Sequence, residues 1–149
     1  MDKQWEAIFE EVKQNRPSKE RMFEYTFLPS DKVRLEKNSK QEVLVIAEDK
    51  WSEKYGMCLV TAQSGKVYVA DIENYEPCTY CAGSFGQFVR IAEKYWEVAD
   101  GGVDELDTLE GCEEQEKWLR EAIEEIDATA LDGEEYFWSV IVEEVGYGI

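Results

Sequence analysis

The 149-residue sequence contains no histidine and has only 16 Lys and Arg residues against 34 Asp and Glu. Without histidine the chain cannot build a His-based catalytic dyad or triad, a histidine metal site or an imidazole pH switch. A net charge of −18 disfavours a broad basic surface for nucleic acid or for an anionic membrane. The composition therefore favours a protein that is not an enzyme and that binds neither nucleic acid nor a membrane.

Long hydrophobic runs are missing as well. No stretch of about 18 apolar residues occurs, so no transmembrane helix is expected. The first residues, Met1–Glu6, have neither the basic start nor the apolar stretch of a secretory signal. We therefore expect a cytoplasmic protein whose four cysteines stay reduced. The chain is nonetheless 44% hydrophobic and 13% aromatic, which is enough for a real core.

The negative charge is concentrated towards the end of the chain. Residues 1–54 hold 12 acidic and 11 basic side chains, whereas residues 93–149 hold 19 acidic and three basic ones. Such asymmetry is informative about partners rather than about fold. A strongly basic partner would relieve the self-repulsion of this region and would be steered towards it.

The first 40 residues contain one clear element. Trp5, Ile8 and Val12 lie at helical spacing and predict a helix over 3–14, which ends before Pro17. In the following stretch, 18–40, aromatic residues alternate briefly as in a strand, but a polar loop interrupts them. We expect this stretch to be mostly irregular.

A β-rich middle region is predicted over 41–82. Val43–Ala47 is a continuous apolar run rich in β-branched residues, which suits a central strand covered on both faces. Two further apolar runs flank a tight, glycine-containing turn at 63–66, which is a hairpin signal. A last short strand is expected at Cys78–Cys81.

The acidic part over 84–146 has a helical period. Ser84 followed by Gln87 predicts a capping box, and Gly146 is expected to end the last helix in a left-handed conformation. Three helices are predicted, with Trp96, Trp118 and Trp138 on their apolar, core-facing sides. Strands followed by helices indicate an α+β fold class, a mostly antiparallel sheet flanked by helices, in one domain over 1–149.

Cys78 and Cys81 form a C-x-x-C motif with three interpretations. A redox pair needs its first thiol at a helix N-terminus, but the predicted helix begins only after the second cysteine. A zinc site needs four ligands, and without histidine only Cys58 and Cys112 remain to complete it. The remaining interpretation, ordinary small residues on or near a strand, is the one we favour. Accordingly we expect no metal and no cofactor.

No motif in the sequence indicates catalysis. A P-loop, a dinucleotide-binding glycine motif and a nucleophile elbow are all absent. The carboxylate tract over 100–116 lacks the spacing of a calcium loop. That tract is interpretable as a solvated loop and helix start, or as part of a docking surface.

Three segments occur in an order that resembles a known family. They are a strand ending in acidic residues at Glu42–Asp49, a glycine turn and strand at Ser64–Asp71, and a helix start at Ala82–Phe88. This order resembles the SUKH superfamily, small immunity proteins related to the fungal cell-wall regulators of the Smi/Knr type. Leu119–Asp127, together with the later stretch 137–144, is similar to the tail of one subgroup.

The resemblance implies a single α+β domain that neutralises a bacterial toxin, often a nuclease or a nucleic-acid deaminase, by binding it. It implies no catalytic residues. Because such enzymes have basic clefts, we expect a basic cognate toxin to dock on the acidic tract and on the loop around Tyr75. An alternative is a regulatory or scaffold module of the same fold that binds endogenous proteins. The candidate partner-binding residues are Asp71, Glu73, Tyr75, Glu76, Asp104, Glu105, Asp107, Glu110, Glu113, Glu114 and Glu116.

Overall fold

Four helices and seven strands make up the fold in a computed structural model, which describes residues 3–101 and 109–148. The helices are α1 (Lys3–Gln14), α2 (Phe85–Gly101), α3 (Leu109–Asp127) and α4 (Phe137–Gly146), with a 3₁₀ turn, η1 (Ala128–Leu131), between the last two. The strands are β1 (Arg21–Met22), β2 (Tyr25–Phe27), β3 (Arg34–Lys37), β4 (Glu42–Lys50), β5 (Gly56–Thr61), β6 (Val67–Asp71) and β7 (Pro77–Ala82).

All strand pairs are antiparallel, and they form one curled sheet in the order β1-β2-β4-β5-β6-β7. β3 also pairs with β4, next to the segment of β4 that β2 occupies. The fold class is therefore α+β in a single domain, as the sequence predicts. The stretch 18–40 is mostly irregular, as expected, but it also holds the three short strands β1, β2 and β3, which the sequence did not predict.

The main core lies between the sheet and the four helices. β4 is central, and the whole predicted run Val43–Ala47 is buried, so its two-sided burial is confirmed. α2 contributes Phe85, Phe88 and Trp96 to this core, as its periodicity predicts. Trp138 of α4 is fully buried among them, with its ring centroid 5.5 Å from that of Phe88.

The opposite face of the sheet carries a second, smaller apolar cluster, to which no helix among the described residues contributes a side chain. Its buried members are Val43, Val45, Cys58, Val60, Ala70 and Ile72. Half-buried Leu28, Tyr68 and Tyr75 pack against them. Leu28 and Tyr75 lie in loops and Tyr68 lies on β6, so loop and strand side chains cover this face.

The helix ends differ in detail from the predicted ones. The Ser84 hydroxyl accepts a hydrogen bond from the N–H of Gln87 at 3.2 Å, as in a capping box. The Ser84 hydroxyl in turn donates to Oε1 of Gln87. The side-chain N–H of Gln87 donates to the carbonyl of Ile126, rather than to the backbone of Ser84 as in a capping box. Gly146 lies within α4, and the left-handed residue is Gly148, with φ +78°.

One carboxylate joins the start of α2 to the end of α3. Asp127 is 6% exposed, and its Oδ2 accepts a hydrogen bond from the N–H of Gly83 at 2.7 Å. Its Oδ1 accepts from the N–H and from the hydroxyl of Thr129, at 3.1 and 2.6 Å, and so caps η1.

Among the described residues, no helix is both long enough and apolar enough to cross a bilayer.

Candidate protein-binding surface

Three of the candidate binding residues, Glu73, Tyr75 and Glu76, lie on the connection between β6 and β7, and a fourth, Asp71, ends β6. The carboxylate of Asp71 accepts hydrogen bonds from the N–H of Asn74 at 2.8 Å and of Glu76 at 3.3 Å. The N–H of Tyr75 donates to the carbonyl of Asp71 at 2.8 Å, and Tyr75 has φ +55°. Asp71 therefore shapes this connection, as aspartate commonly does in turns. Glu73 is exposed at its tip.

The β6–β7 connection is tied to the turn between β3 and β4. Oε1 of Glu76 accepts from the hydroxyl of Ser39 at 2.6 Å and from its N–H at 3.0 Å. These hydrogen bonds lower the pKa of Glu76, and the bond from the hydroxyl contributes more than the bond from the N–H. Asn38 adds a side-chain hydrogen bond to the carbonyl of Tyr75 at 3.0 Å. Glu76 thus has a structural role inside the domain.

Tyr75 is half-buried against the second apolar cluster rather than standing free in solvent. Its hydroxyl accepts a hydrogen bond from Nη2 of Arg34 at 3.3 Å, and Arg34 also pairs with Glu48 at 2.8 Å and with Glu36 at 2.9 Å. Partial burial disfavours the charged guanidinium, but these hydrogen bonds outweigh it and raise the pKa of Arg34. Tyr75 is therefore a covering residue of the sheet, held by a charged network.

The other candidate residues belong to the acidic tract. Asp104, Glu105 and Asp107 lie outside the described residues. Glu110, Glu113 and Glu114 are exposed on the first turns of α3. Glu116 is half-buried and forms an ion pair with Arg120 at 3.1 Å, one turn further along the helix.

The structure does not bring the two groups of candidate residues together. Tyr75 packs on the sheet face that carries no helix, whereas α3 packs against α2, α4 and η1. A single docking surface made of both groups is therefore not formed by the described residues. The first turns of α3 instead share a layer with the other helices.

Trp118 differs from its prediction as a core residue. It is 43% exposed, while its neighbour Leu119 is completely buried. Its ring lies at a groove of about 660 Å³ between α2 and α3, with glutamates on both walls. Leu119 and Ile123 are buried and define the apolar stripe of α3. Trp118 lies at the edge of that stripe, and this position could have indicated its exposure from the sequence.

Four further exposed aromatic residues were not singled out from the sequence, and one of them, Tyr147, follows α4 and is 67% exposed. Trp51 and Tyr55 are 70% and 57% exposed on the connection between β4 and β5. Phe23 is 42% exposed at the β1–β2 turn and has φ +56°, which is unusual for an aromatic residue. The polar sequence around Trp51 and Tyr55 was the available signal for their exposure.

The four cysteines are free thiols, and only Cys78 is exposed. Burial raises the pKa of Cys81 well above its ordinary value, and a nearby Cys78 adds to the effect. Within the described ranges, no three Cys, Asp or Glu side chains converge as metal ligands. Both cysteines of the motif lie within β7, where the sequence analysis expected a short strand.

Comparison of the chain with protein-family models, with curated proteins and with solved structures yields no match.

Proposed function

We propose that this protein is an immunity protein of the SUKH type, which binds and neutralises a basic toxin acting on nucleic acid. The observation that carries the proposal is the acidic face of α3. We define this face by its six exposed glutamates, Glu110, Glu113, Glu114, Glu121, Glu124 and Glu125. None of the six forms an ion pair with the part of the chain that the structure describes.

Electrostatics explains why such a face suits this partner. Enzymes that act on nucleic acid carry basic clefts, because they must bind a chain of phosphates. An acidic face speeds the diffusional encounter with such a cleft, and the effect weakens as salt screens the charges. An immunity protein must bind the toxin before the toxin reaches its substrate, so a high, electrostatically steered association rate is an advantage.

The architecture also supports the proposal. The resemblance to the SUKH superfamily implies one α+β domain with a mostly antiparallel sheet flanked by helices, and the observed fold agrees with it. α3 lies in the helical layer beside α2 and α4. Its six glutamates are therefore held on a packed helix, which keeps their spacing fixed when a partner approaches.

The first experiment identifies the partner by co-purification from the native host. The association rate with that partner, in a catalytically inactive form, is then measured at 50 and 300 mM NaCl. We expect the substitution of Glu110, Glu113, Glu114 and Glu124 by lysine to slow association at least tenfold at low salt and to remove its salt dependence.

A matched variant controls for the change in net charge. Glu6, Glu10, Asp31 and Glu53 are also exposed, and they lie outside α3. Their substitution by lysine changes the net charge equally, so we expect a much smaller effect on the rate. Equal effects of the two variants would contradict the acidic docking face. A partner that is an endogenous, non-toxic protein would contradict the immunity function and favour a scaffold role.

A further inference from the structure

The groove between α2 and α3 already holds a cation over an aromatic ring. Nζ of Lys94 lies 5.7 Å from the centroid of the Trp118 ring. This is the range in which a cation is attracted by the electron-rich face of the indole. Nζ of Lys94 also lies 3.6 Å from Oε2 of Glu97, so the ammonium is close to both a ring and a carboxylate.

The groove is lined by more glutamates than basic residues, so Lys94 does not neutralise its negative charge. Glu97 stands on the α2 wall, while Glu121 and Glu125 stand exposed on the α3 wall, one turn and two turns beyond Trp118. Glu93 also lines the groove, but the hydroxyl and N–H of Ser18 occupy its carboxylate at 2.7 Å each. Arg90 is the second cation of the groove.

We propose that this groove binds an arginine side chain of a basic protein partner on the face of Trp118, and that Lys94 is the internal competitor which the partner displaces. Arginine fits better than lysine because its planar guanidinium stacks on an indole and pairs with carboxylates at the same time. The inference rests on the proposed function for the identity of the partner.

Charge complementarity argues against other occupants. A second copy of this chain would bring a surface of net charge −18 against glutamates of the same sign. An anionic ligand would meet the same repulsion. A partner arginine, in contrast, would leave the aromatic face occupied by a cation and would release Lys94 towards solvent. Trp118 would then serve as the anchor of the interface, a role for which tryptophan is enriched.

The test uses a synthetic pentapeptide, acetyl-Arg-Gly-Arg-Gly-Arg-amide, and the ¹⁵N-labelled full chain. The five indole N–H signals are followed by NMR, and Trp118→Phe assigns the relevant one. We expect a saturable shift of the Trp118 signal that is larger than that of Trp51, which is 70% exposed outside the groove. Equal shifts of the two signals would show general attraction to an acidic protein and would overturn the proposal.

Two variants test the competition by Lys94. Lys94→Met removes the cation from the ring, and Lys117→Met makes the same change of charge at an exposed residue outside the groove. We expect Lys94→Met to lower the Kd of the peptide at the Trp118 signal at least threefold and Lys117→Met to leave it within experimental error. Equal Kd values for the two variants would refute the competition. No toxin is present in this experiment, so its failure is distinct from failure of the proposed function.

Discussion

Gly56 opens β5 at a position that has no room for a side chain. Its φ is +145°, and a Cβ would lie 2.3 Å from the carbonyl oxygen of Asp49 and 2.9 Å from Cα of Lys50. Both contacts are with the backbone of β4, which cannot shift without disturbing the pairing of Lys50 with Gly56. We expect Gly56→Ala to lower the free energy of unfolding by about 3 kcal/mol or more, measured by urea denaturation.

Gly65 supplies the matched control for this substitution. It also has a positive φ, +93°, but a Cβ there would meet nothing within 4 Å. Gly65→Ala thus isolates the backbone strain, and we expect a loss of about 1–2 kcal/mol. Similar losses for both variants would show that the contact with β4 contributes nothing.

The hydrogen bonds between Glu76 and Ser39 link the β6–β7 connection to the turn between β3 and β4. The pKa of Glu76 is lowered in the folded protein, so its ionised form is favoured by folding. The resulting stability is present above the unfolded pKa, about 4.3, and is lost as the pH falls through the lower folded pKa. We expect Glu76→Gln to lower Tm at pH 7 and the difference from the parent to vanish near pH 3.

Glu73→Gln is the control for that pH dependence. Glu73 belongs to the same loop, is exposed, and makes no hydrogen bond with the described residues. Its substitution should leave Tm close to that of the parent across the same pH range. A Glu76→Gln difference that persists at pH 3 would mean that the lost contact does not depend on ionisation.

Long periodic segments were predictable, and short paired ones were not. β4 and α2 are long, and each carries its own signal, a continuous apolar run in one and a helical stripe in the other. β1, β2 and β3 have two to four residues each, and they owe their form to pairing with one another and with β4. The residues of a short stretch do not reveal such non-local pairing, so the sequence of 18–40 did not predict these three strands.

The candidate site was predictable only in part, for a related reason. Charge counting identified α3 as acidic, and the structure places Glu110, Glu113 and Glu114 in solvent. Periodicity placed Trp118 on an apolar face, but it does not tell how far α2 extends over that face. Tyr75 presented the opposite case, since its polar loop folds back onto the sheet and is held by Arg34. Both outcomes depend on tertiary contacts.

Across the whole molecule, acidic side chains outnumber basic ones by 18. Three of the ion pairs among the described residues join side chains that are more than 40% exposed: Lys19–Asp100, Arg21–Glu24 and Lys94–Glu97. Pairs of this kind contribute little to stability. The repulsion summed over a net charge of −18 is long-ranged at low salt, where the screening length is about 30 Å at 0.01 M. We therefore expect self-repulsion to outweigh surface pairing in this protein.

We accordingly expect salt to stabilise the protein. Raising NaCl from 10 to 500 mM at pH 7.5 should raise Tm by about 3 °C or more, because screening weakens the repulsion more than it weakens the few pairs. The four-lysine variant of α3 is less negative by eight charges, so its Tm should rise less over the same range. A Tm that falls with salt would mean that attractive pairs dominate. The expected rise, together with a smaller rise in the variant, would instead show that the acidic face of α3 is maintained at a loss of stability, as suits a surface that a basic partner neutralises on binding.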